Sequence, residues 1–129
     1  MKWAVIVARV FLGLVFVVFG VNGFLGVIPL PPQPELAGSW LKMMVVDSKY
    51  LYVVKVLEVV CGLMLLSGKF VPLSLSILTP IAVNILLFEV FLVGSPGPGV
   101  LWLAVCVFLI YGYRSYFLPL FTVDARIGG

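Results

Sequence analysis

Hydrophobic positions fall into four long blocks, separated by short polar or proline-rich breaks. The first, residues 3–25 (WAVIVARVFLGLVFVVFGVNGFL), is long enough to cross a bilayer at about 1.5 Å per residue. Lys2 before an apolar run is also how a signal peptide begins. Arg9 interrupts the run, however, and no A-x-A-like site follows, so the block is read as an uncleaved helix. Residues 26–34 (GVIPLPPQP) hold four prolines and are read as a stiff loop outside the membrane. Residues 35–47 (ELAGSWLKMMVVD) recover a helical period, with Leu36, Trp40, Met43 and Met44 on one face. The short length and Trp40 predict a helix lying in the membrane interface; packing on the bundle and a lid over a cavity are the alternatives. Further spans are predicted at 50–67, at 71–93 with Pro80 inside, and at 100–118. Tyr50 and Tyr52, Trp102, and Tyr111, Tyr113 and Tyr116 stand near span ends, where aromatic side chains anchor in the headgroup region. The expected fold is all-α: a four-transmembrane-helix bundle with a short amphipathic interfacial helix, in a single domain over 1–129.

Composition agrees with this pattern. The chain is 64% hydrophobic and 10% charged, against about 25% charged in soluble domains. It has no histidine, which excludes histidine-ligated haem, histidine metal sites and histidine acid–base catalysis. The net charge of +3 comes with no basic run, so nucleic acid is not an expected partner. Cys61 and Cys106 lie in apolar blocks without a C-x-x-C, so no metal site is expected. They read as small buried apolar side chains, with a helix-to-helix disulfide as the alternative.

The candidate chemistry lies in the polar residues that interrupt the spans. Arg9, Gly13, Phe16 and Gly20 share one face of the first helix, and Lys55, Glu58 and Gly62 share one face of the second. Gly13, Gly20 and Gly62 would let neighbouring helices approach closely. A charge such as Glu58 at the middle of a span costs about 2.5–3.5 kcal/mol on insertion scales. A chain that carries one is expected to supply a buried partner, here Lys55 or Arg9. A snorkelling role near the membrane surface is the other reading of Arg9. In the third span, Glu89 points about 140° away from Asn84. Lys2, Arg9, Lys69, Arg114 and Arg126 lie on the terminal side, against Lys42, Lys49 and Lys55 on the other, so both termini are expected in the cytoplasm. Arg9 then falls in the inner third and Glu58 near the middle, with Asn22, Lys55, Asn84 and Glu89 in the outer half. These six residues form the candidate intramembrane polar site. The competing reading is a set of interhelical hydrogen bonds that hold the bundle together.

Three stretches carry a family resemblance. They are AR-VFLG-LVF-VFG (Arg9, Gly13, Phe16, Gly20), KVLEVVCGLMLLSGKFVPLSL (Glu58, Gly62, Gly68, Pro72) and LTPIAVNILLFEVFL (Pro80, Asn84, Phe88, Glu89). In order and spacing, across most of residues 8–118, the chain resembles the DoxX-like family of small four-helix membrane proteins. Some of that family are linked to quinone-coupled sulfur oxidation or to membrane redox and oxidative-stress complexes. The resemblance implies a bacterial cytoplasmic membrane and a redox setting, with quinone or lipid as the ligand to consider; no cofactor is evident from the residues themselves. Three functions stay open. The chain could be an accessory or structural subunit of a larger membrane complex, with other membrane subunits as partners. It could be a quinone-interacting redox subunit with Glu58 handling a proton, or a small transporter. No nucleophile–base set marks it as an enzyme on its own.

Overall fold

The computed structural model describes residues 2–25 and 33–128. The regular structure of the described residues is all helical, with no strand. Helix α1 runs Lys2–Leu25, α2 Glu35–Leu41, α3 Tyr50–Ser67, α4 Val71–Phe88, α5 Pro98–Gly112 and α6 Arg114–Phe117. Two of these continue as wider π-helical turns, α2 through Lys42–Asp47 and α4 through Glu89–Val93. A 3-10 turn, Leu118–Phe121, follows α6. Most of the proline-rich loop expected at 26–34 lies outside the described residues, which resume at Gln33.

Among the described residues, three helices are long and apolar enough to cross a membrane: Lys2–Phe24, Tyr50–Ser67 and Val71–Val93. A fourth is added if Pro98–Gly112 and Arg114–Phe121, bent by 85° at their junction, count as one span. The α3 helix stops at Gly68, which takes the left-handed conformation at φ 77° that a glycine cap allows. Pro72 at the start of α4 loses nothing by lacking an N–H, since no acceptor precedes it in the helix.

Antiparallel contact between α1 and α3 is the most extensive helix packing among the described residues. A Cβ placed on Gly13 would lie 2.9 Å from the Gly62 carbonyl oxygen, and one on Gly62 would lie 2.9 Å from the Gly13 carbonyl oxygen. A Cβ on Gly20 would lie 3.2 Å from the Lys55 carbonyl oxygen. Backbone approaches backbone here because no side chain stands between them. The apolar core runs through Leu12 and Phe16 of α1, Leu65 of α3, Leu75, Leu78 and Ala82 of α4, and Leu109 of α5. Cys61 and Cys106 are free and buried in the same cluster.

The face that Leu36, Trp40, Met43 and Met44 share is only partly covered by the rest of the protein. Ala37 is buried and Trp40 packs on Phe88 with ring centroids 5.0 Å apart. Leu36 and Met43, predicted to share the apolar face, are exposed. Helical period selects a stripe, but it does not say which edge of that stripe meets the neighbour.

Candidate functional site

The six candidate residues are distributed over four places. Lys55 and Glu58 are together: Lys55 Nζ donates to Glu58 Oε2 at 3.3 Å, one helical turn apart. Glu58 is 3% exposed, although it stands mid-helix in an apolar span. Lys55 reaches it with its stem laid over Gly23, where a Cβ would sit 2.8 Å from Lys55 Cδ. Asn22, the neighbour of Gly23, is half-buried at the same end of α1. Gly23 was not foreseen from the sequence. Its signal is available only in retrospect, as a glycine opposite a long cationic side chain on an antiparallel neighbour.

Arg9 lies elsewhere. Its Nη1 donates to the Tyr113 hydroxyl at 3.3 Å, and its guanidinium lies against Gly68, 3.1–3.3 Å from where a Cβ would be. Gly68 follows Glu58 by ten residues on α3, roughly 15 Å along the helix axis. Pairing of Arg9 with Glu58, one of the two partners expected, is therefore replaced by a contact at the terminal end of the bundle. The antiparallel register of α1 against α3, which tertiary packing sets, keeps Arg9 near the terminal side and away from Glu58.

Glu89 is 8% exposed and turned into the protein. Its Oε1 accepts the Gly99 backbone N–H at 2.6 Å, so the carboxylate sits on the first turn of α5. The N-terminus of a helix presents unpaired N–H groups and the positive end of the helix dipole, which a carboxylate satisfies. The turn Ser95–Gly99 makes this possible: a Cβ on Gly97 would lie 2.7 Å from Glu89 Oε2, and one on Gly99 would lie 2.7 Å from Oε1. Proline and glycine in SPGPG (95–99) favour a tight turn, and its glycines also make the room that the carboxylate occupies.

Asn84 faces outward. It is exposed, and its amide nitrogen donates to the Pro80 carbonyl of its own helix at 3.1 Å. Its separation from Glu89 by about 140° around the helix accounts for one being exposed and the other buried. Among the described residues, no hydrogen bond or ion pair joins the Lys55–Glu58 pair to Arg9, Asn84 or Glu89. No group of three or more histidine, cysteine or acidic residues that could hold a metal ion occurs among the described residues.

Long apolar helices with charges turned inward define an integral membrane protein. The DoxX family model matches residues 4–90, and the chain belongs to that family of small membrane proteins. No curated protein and no solved structure matches the chain.

Proposed function

We propose that this chain is a membrane-embedded accessory subunit of a larger membrane assembly. One observation carries the reading: Asn84 is exposed near the middle of the apolar stretch Val71–Val93. In hydrocarbon an amide has no water to bond, and the Asn84 Nδ2 bond to its own helix leaves the amide's other groups to be met. Asparagine at such a position is matched by a polar group on a neighbouring helix. The same face holds Ser76 and Pro80, with Leu73 and Leu87 beside them, a surface that another transmembrane helix can approach. The inward charges support the reading differently. Arg9 meets Tyr113, Lys55 meets Glu58, and Glu89 Oε1 meets Gly99, so each has one partner within the chain.

In this reading α5 is a fourth span that completes the bundle, and the sharp bend into α6 turns the chain along the interface. The α2 segment lies in the opposite interface, with exposed Leu36 and Met43 dipping into the acyl boundary. Both termini face the cytoplasm of a bacterial inner membrane, following the five-to-three cation bias. The complex served is a redox or bioenergetic one, the setting that the family resemblance suggests.

A second reading, a quinone-interacting redox subunit, is favoured by the geometry of Glu58. Its ion pair lies within one helix and ties no two spans together, so bundle stability alone does not explain why a deeply buried carboxylate is kept. Mild-detergent purification separates the two readings. The accessory reading expects a stoichiometric membrane partner that is lost in Asn84→Val and kept in Glu58→Gln. Co-purified quinone that disappears in Glu58→Gln, with no partner chain, would replace it by the second.

A further inference from the structure

The terminal end of the bundle gathers cations without anions to match. Lys2, Arg9, Lys69, Arg114 and Arg126 belong to it, with Asp124 as its acid. Glu35, Asp47, Glu58 and Glu89 lie at mid-span or toward the other end. Arg9 is the most enclosed of these cations. It is half-buried, level with the C-terminal ends of α3 and α5, and its Nε is buried with no hydrogen-bond partner. A guanidinium offers five N–H donors; Tyr113 receives one, at the long distance of 3.3 Å. The helix ends account for the charge being tolerated, since C-termini carry the negative pole. They do not use its donors: Met64 and Leu65 in the last turn of α3 both receive the Gly68 N–H, and the Arg9 hydrogen bond goes to Tyr113. The side of Gly68 that faces the guanidinium has no side chain to close it.

We propose that Arg9, Tyr113 and Lys69 form a site for a phosphate-class oxyanion at the terminal end of the bundle. Arg9 supplies the planar fork that matches two oxygens of such a group. Tyr113 accepts from Arg9 through its oxygen and so has its hydroxyl hydrogen free to donate to the anion. Lys69, next to Gly68 and exposed, adds a second positive charge. Helix ends place the site at headgroup depth, where the phosphate of an anionic lipid resides; a free phosphate-bearing solute offers the same chemistry. The site is independent of the accessory-subunit reading, because it uses none of the outward face of α4.

The test uses the full chain purified in neutral detergent. One arm adds phosphatidylglycerol or phosphatidylcholine and counts retained lipid by native mass spectrometry; the other adds inorganic phosphate and follows the thermal midpoint. The expected result is selective retention of phosphatidylglycerol. Arg9→Lys should weaken it by about tenfold, the scale of one lost charge-assisted hydrogen bond. Tyr113→Phe should weaken it less, and Arg114→Gln, whose guanidinium lies over the Tyr111 ring, should leave it within about twofold. A midpoint raised by inorganic phosphate in the wild type but not in Arg9→Lys, without lipid selectivity, would assign the same site to a soluble phosphate compound. Arg9→Lys and Tyr113→Phe that fold and retain both ligands as the wild type does would overturn the proposal and leave Arg9 a snorkelling side chain. If Arg9→Lys does not fold, Tyr113→Phe and Lys69→Gln decide the matter by the same readouts.

Discussion

The chain buries two carboxylates, and it partners them in different ways. Glu58 stands mid-helix and draws its partner from the same helix, one turn away. Glu89 stands where α4 widens into a π turn and draws its partner from the backbone of the next helix. Lys55–Glu58 is a local pair, available as soon as α3 forms. Glu89 Oε1 gains its partner only once α4 and α5 pack, so that bond belongs to the tertiary structure, and Oε2 stays buried without a hydrogen-bond partner. The difference is one of helix position. A mid-helix residue finds every nearby backbone N–H already used, whereas a residue beside a helix start finds unused donors. In both places a glycine opens the space, Gly23 beneath Lys55 and Gly97 and Gly99 around Glu89.

Removing each partner in turn breaks this comparison where it is strongest. Lys55→Met leaves Glu58 buried and uncompensated, and should cost about 3–5 kcal/mol. Adding Glu58→Gln should recover most of that loss. Reversible unfolding of the chain in mixed micelles measures both, and a Lys55→Met variant as stable as wild type would show that the pair is dispensable. Gly62→Val comes next, at about 1–3 kcal/mol, because its side chain would overlap Val17 and the Gly13 backbone. The same unfolding measurement should then show the α1–α3 contact loosened with the Lys55–Glu58 pair intact.

Glu89→Ala should cost about 0.5–2 kcal/mol, the scale of a lost helix cap. Glu89→Gln keeps an acceptor for Gly99 and should lose less. Hydrogen exchange at Gly99 reads this directly: it should speed up in the alanine variant and stay near wild type in the glutamine variant. Asn84→Leu has the smallest expected effect on the isolated chain, under about 0.5 kcal/mol, since it exchanges an exposed polar group for an apolar one. A large loss in the isolated chain would assign Asn84 to internal packing and remove the argument for an outside partner.

Much of the fold was legible in the sequence. Spans at 50–67 and 71–93 coincide with α3 and with α4 plus its π turn, because long apolar blocks bounded by Lys49, Gly68–Phe70 and Gly94 leave few other ways to satisfy the backbone in lipid. The Arg9–Gly13–Gly20 face and the Lys55–Glu58–Gly62 face follow from helical period alone. The candidate site was less legible. Arg9 shares a helix face with residues that meet α3, yet Tyr113, its partner, is 104 positions away in the chain. Nothing local announces such a contact. Nor could periodicity decide that Asn84 faces out and Glu89 in; it established only that they face apart.

By itself, then, the sequence determined that this is an all-helical membrane protein. It also determined which residues share each helix face and that Lys55 can reach Glu58, since all of these depend on local geometry and on the cost of polar backbone in hydrocarbon. The tertiary structure decided the rest: the antiparallel register that sets Gly13 against Gly62, the place of Arg9 beside Gly68 and Tyr113, and the seat of Glu89 on the first turn of α5. These depend on how far each helix slides and turns against its neighbours. That choice is made by close packing at a few glycines, and hydrophobic pattern, which repeats along every span, does not encode it.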